Sequence, residues 1–136
     1  MQFLNVHHIM YIHQSGFRSD FSTDTALSFL GDKIKFNMDS GLYTGMILID
    51  LQKAFDTVDH EILLKKLNAV GADDAVVSWF RSYLEDRKQF VDINGTMSSP
   101  EFVTCGVPQG SILGPLLFLL YVNAKLSRLS INVICR

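Results

Sequence analysis

Asp50 closes the apolar run Met46-Ile47-Leu48-Ile49, and Phe55, Asp56, Asp59 and Glu61 follow it. A carboxylate at the end of a buried strand stands on a rigid platform with little freedom left to lose. Hard cations such as Mg²⁺ take oxygen ligands, commonly one or two carboxylates together with substrate phosphates. Asp50 is the right ligand type for that chemistry, although a strand-end cap or turn residue would look the same at this position. Asp56 and Asp59 read as the start of the next helix, where side-chain oxygens cap free N–H groups. Other metal chemistries fail on spacing. Gln52 stands where a haloacid-dehalogenase pattern needs its second aspartate. Gly95 is the fourth residue of DINGTMSSPE, whereas a calcium loop of the EF-hand type needs glycine at its sixth. His7, His8, His13 and Cys135 have no zinc-site spacing.

A second cluster is GVPQGSILGPLLFLLYVN, Gly106 to Asn123. Its Gly-Val-Pro-Gln-Gly turn makes a tight loop with close backbone access. Gln109 there carries an amide that can both donate and accept. A polar turn at a helix entry is the simpler reading of the same residues.

The elements around these clusters follow from period and punctuation. Residues 2–13 suggest a short helix, and Gln14 to Thr23 a loop. Ser22 is an N-cap for a helix to about Asp39, which Gly41 ends. Residues 43–50 form the most strand-like segment, and the unbroken apolar end predicts burial on both faces. Helices are expected at 60–69 and 73–86, divided by Gly71, with Asp73 as a cap. Two extended runs flank Asn94-Gly95, a strong hairpin signal. A helix starts near Ile112, and its run to Val122 is apolar on nearly every side. That predicts packing on the sheet that carries Asp50, with Phe118 buried. Trp79, among Val76, Val77, Phe80 and Tyr83, reads as core. The order of helices, strand, helices, hairpin and helix gives an α+β class, with helices packed on a small, mostly antiparallel sheet.

The totals agree with one globular domain. There are 136 residues, 48% apolar and 19% charged, with a net charge of -2. Nothing in the charge advertises nucleic acid. Two cysteines do not make a disulfide framework. The start lacks the basic region and cleavage site of a signal peptide. The apolar run 112–122 is too short to span a bilayer, so an intracellular protein, nuclear or cytoplasmic, without membrane contact is expected.

Taken together, the stretches resemble the reverse transcriptase domain of non-LTR (LINE-type) retrotransposons. ILIDLQKAFDTVDHEILLKKL looks like that family's motif A, GVPQGSILGPLLFLLYVN like its motif B, and HQSGFRSDFSTDTAL like the fingers motif upstream. The three run in the family's order over residues 13–123, and co-linear motifs are more specific than any one alone. The resemblance implies a partial fingers–palm of a right-hand polymerase spanning 1–136, with 124–136 as a divergent tail. It implies that Asp50 and the carbonyl of Leu51 ligate catalytic Mg²⁺. It implies that Phe55 lies under the incoming sugar and disfavours a 2′-hydroxyl. Gln109 and Gly110 would line the nucleotide site, and Arg18 would lie near the template or serve the structure. RNA template, DNA primer and dNTP are the implied partners of the intact family.

Two-metal catalysis needs further carboxylates, which this family takes from a Tyr-x-Asp-Asp hairpin after motif B. The 136 residues contain no such tetrad. The expectation is therefore a truncated reverse transcriptase fragment, inactive alone and binding nucleic acid weakly or not at all. The alternative is a non-catalytic remnant that binds RNA or protein.

Overall fold

The computed structural model describes residues 9–126. In chain order these carry α1 (Thr23–Asp39), α2 (His60–Ala69), α3 (Asp74–Leu84), β1 (Lys88–Gln89), β2 (Asp92–Ile93), β3 (Thr96–Met97), β4 (Glu101–Phe102) and α4 (Leu113–Leu126). The class is α+β with antiparallel ladders, as expected. The chain divides into two units: one whose described part is mainly residues 9–52, and one formed by Lys53–Ala124.

In the first unit, Arg18 organises the loop that precedes α1. Its Nη1 donates to the carbonyls of Tyr11 (3.3 Å) and Gln14 (3.2 Å). Its guanidinium lies 4.4 Å over the ring of Phe21. Ser22 then caps α1 in a reciprocal pair: Thr25 N donates to Ser22 Oγ, and Ser22 N donates to Thr25 Oγ1. Gly41, at φ 69°, ends the helix. The amides of Gly41 and Leu42 reach back to Met38 O and Asn37 O, which satisfies carbonyls left over by the last turn. Of the apolar face of α1, Ala26 is buried, while Leu27, Phe36 and Met38 are exposed.

Two expectations fail in this unit. Residues 9–13, the described end of the helix expected at 2–13, form bends and turns; the rest of that span lies outside the described residues. More consequentially, residues 43–50 form no strand and are exposed throughout, with Ile47 at 86% and Leu48 at 81%. A strand acquires its hydrogen bonds only from a neighbour. The four described strands pair among themselves, β1 with β4 and β2 with β3, so none of them is that neighbour.

In the second unit, α2 and α3 pack on each other. Asp59 and Asp73 cap them, each accepting from a backbone amide at 2.8 Å, Ile62 N and Val76 N respectively. Gly71, at φ 93°, turns the chain between them. Arg81 on α3 bridges to Glu61 on α2 (2.5 Å) and to Glu85 (2.8 Å). The guanidinium holds the Glu61 carboxyl below the usual carboxylate range. Buried Leu63, Leu64 and Leu67 of α2 and Leu84 of α3 join Val58, Val107 and Leu117 to Leu120 of α4 in the core. Pro115 sits in the first turn of α4, where its missing N–H costs nothing. The expected hairpin forms: Asn94 (φ 51°) and Gly95 (φ 84°) join β2 to β3, with Asp92 opposite Met97. Trp79 departs from the core reading. It is 54% exposed and stacks on Tyr83 at 5.7 Å between ring centroids. Helical spacing identified a face of α3, but the apolar residues on it outnumber those the core accepts.

Candidate functional site

The second unit brings two turns from distant parts of the sequence together. Residues 53–58 follow the apolar run, and residues 105–111 lead into α4. Gly106 N donates to Val58 O at 2.8 Å, and Val107 N donates to Phe55 O at 2.9 Å. The Cys105 thiol donates to Asp56 O at 3.2 Å. His60 Nε2 lies 2.8 Å from Gly106 O. A carbonyl only accepts, so that nitrogen carries the proton. The turns touch so closely because residue 106 is glycine. A Cβ there would lie 2.9 Å from the Cα and carbonyl oxygen of Asp56, and φ is +86°.

On this base sit three of the side chains or positions marked from sequence. Phe55 is half-buried, and its ring packs at 4.6 Å between centroids against Phe118 of α4. Phe118 is itself 4% exposed, which agrees with the burial expected of it. Gln109 is exposed and donates from Nε2 to Asp56 Oδ1 at 2.8 Å. Gly110, at φ +76°, has open space where a side chain would be. Ser111 closes the turn: its hydroxyl donates to Pro108 O (2.7 Å) and accepts from Gly114 N (2.9 Å).

Asp56 is the residue that sequence reasoning misplaced. The sequence places it with Asp59 at the start of the next helix, yet only Asp59 caps α2. A helix start offers one N-cap position, so one of two candidates three residues apart had to be free for another partner. The surplus acid was the available signal.

Asp50, Leu51 and Arg18 belong to the first unit. Asp50 and Leu51 lie on the exposed segment that forms no strand. Arg18 spends donors on the carbonyls of its own loop. Among the described residues no group of three or more His, Cys, Asp or Glu could hold a metal ion. One carboxylate on an exposed segment does not fix two ions about 3.5–4 Å apart, so the described residues do not form that centre. No helix among them is long and apolar enough to cross a membrane.

A family model described as reverse transcriptase (RNA-dependent DNA polymerase) matches residues 1–135. The chain is 38% identical over 109 residues to a probable RNA-directed DNA polymerase from transposon BS of Drosophila melanogaster, covering 80% of this chain and 12% of the relative. It is 34% identical over 108 residues to the RNA-directed DNA polymerase from mobile element jockey of Drosophila funebris, covering 79% and 12%. It is 30% identical over 97 residues to the retrovirus-related Pol polyprotein from type-1 retrotransposable element R2 of Popillia japonica, covering 71% and 16%. The chain thus spans between 12% and 16% of the length of these relatives. No solved structure matches it.

Proposed function

This chain belongs to the reverse transcriptase family, its relatives being RNA-directed DNA polymerases of non-LTR retrotransposons, and from that membership we propose that Phe55, Gln109 and Gly110 of its second unit supply one wall of a deoxynucleotide-addition site. In this reading a DNA primer's 3′-oxygen bonds to the α-phosphorus of a dNTP on an RNA template, and pyrophosphate leaves. Asp50 and the carbonyl of Leu51, in the first unit, would be ligands of the divalent metal that the family generally uses, and that metal would supply activation of the primer's 3′-oxygen. The Phe55 ring meets the sugar, where a 2′-hydroxyl would collide with it. Gln109 and Gly110 line the same nucleotide. Arg18 orders the loop before α1 near the template.

The observation that carries this reading is the pairing of the two turns. Phe55 and Gln109 come from motifs far apart in sequence, yet the bonds of Gly106 and Val107 to Val58 and Phe55 set them on one framework. The ring of Phe55 is backed by Phe118. A shape-based check on the sugar needs such a backing, because a ring free to turn away would exclude nothing.

A polypeptide of these 136 residues is expected not to extend a primer, since its sequence holds no second catalytic carboxylate motif. Primer extension on an RNA template with dNTPs and Mg²⁺ or Mn²⁺ checks this; extension that Asp50→Asn abolishes would contradict it. The site assignment is tested separately by NMR. Adding dTTP with Mg²⁺ should perturb Phe55 and Gln109 first, and UTP should perturb them less. Equal response to both nucleotides, or none near these residues, would remove the assignment.

A second reading rests on the exposed apolar residues Ile47 and Leu48 and on those of the hairpin, such as Ile93 and Met97. Surfaces of this kind serve association, so the chain acts as an interaction remnant. Light scattering that finds a clean monomer, with no RNA shift at low salt, would leave it unsupported.

A further inference from the structure

We infer that Asp56 is a positioning residue that sets which end of the Gln109 amide faces a ligand. The inference rests on the nucleotide-site reading of Gln109 given above.

Asp56 is held at three points. Its amide donates to Lys53 O at 2.9 Å, and its carbonyl accepts from the Cys105 thiol. Its backbone lies so near Gly106 that no Cβ fits between them. The backbone is therefore fixed against the very turn that carries Gln109, and its side chain reaches Gln109 Nε2 at 2.8 Å. An ionised carboxylate accepts and never donates. The amide must accordingly turn its nitrogen to Asp56, and the reverse orientation would set two oxygens against each other. A hydrogen bond to a charged acceptor is also stronger than a neutral one. With the nitrogen end turned to Asp56 and one of its two N–H groups engaged there, the oxygen end of the amide is the one left facing an incoming group. An oxygen acceptor selects a donor, and on a nucleotide sugar the donor is a hydroxyl. Without Asp56 the amide could present either end, and the selection would blur.

Side-chain amide NMR on the intact 136-residue chain tests this without any need for catalysis. One Nε2 proton of Gln109 should be shifted downfield and exchange slowly. Asp56→Ala should return it to the position of an exposed glutamine, and Asp56→Glu should restore the shift at least in part. Far-UV circular dichroism of each variant confirms that the fold is kept, as expected for an exposed side chain. A Gln109 signal that already resembles an exposed glutamine, or that ignores Asp56→Ala, would overturn the inference. Absence of any nucleotide response in the wild-type chain would instead count against the nucleotide-site reading and leave the Asp56–Gln109 bond standing.

Discussion

Two stretches of this chain are about equally apolar and meet opposite fates. In α4, Leu117, Phe118, Leu119 and Leu120 are buried one after another. In residues 46–49, Met-Ile-Leu-Ile are all exposed. The difference lies in the backbone. A helix satisfies its own N–H and C=O groups, so α4 needs only side chains to cover it. An extended segment leaves those groups open until a neighbouring strand arrives. Apolar patterning shows which residues would profit from burial, and the hydrogen-bonding partner decides which of them achieve it.

The contrast can be broken or sharpened by substitution. Phe118→Ala should cost about 3–5 kcal/mol, because it empties a buried site and removes the support behind Phe55. Denaturant unfolding reads this directly, and an unchanged midpoint would place the ring outside the core. Gly106→Ala should cost about 1–3 kcal/mol from the left-handed backbone alone. The contact with Asp56 adds to that, so its unfolding midpoint should fall clearly, and the Cys105–Asp56 approach should loosen. Ile47→Ala should shift stability by about 0.5 kcal/mol or less, as surface substitutions do. If Ile47→Ala proved as costly as Phe118→Ala, the two stretches would not differ in the way described.

Much of the local structure could be read from the sequence, because it depends on neighbours within a few residues. Ser22, Asp59 and Asp73 are caps whose partners lie three positions on. Asn94-Gly95 carries its turn in its own φ angles. Gly41 and Gly71 stop helices for the same local reason. The burial of α4 was equally legible, since its run is apolar on nearly every side, although the sheet carrying Asp50 that was expected to cover it does not form among the described residues. Besides the helix expected at 2–13, whose described residues 9–13 form bends and turns, three misreadings share a different cause. The exposure of 43–50 depends on a strand that local sequence cannot supply. Trp79 depends on how much of an apolar helix face the core can accept. Asp56 depends on Gln109, a partner 53 residues away in sequence. The site residues were marked because of motif order, and the geometry then added a member that motif order had not distinguished from a cap.

The central claim is that the turn at 53–58 and the turn at 105–111 are bonded into one framework. Amide hydrogen exchange measures it most directly. Gly106 and Val107, which donate to Val58 O and Phe55 O, should exchange slowly, near the rate of the α4 core. Ile47, Leu48 and Ile49 should exchange at close to the rate of an unstructured chain. Fast exchange at Gly106 and Val107, alongside a protected α4, would show that the two turns are not joined.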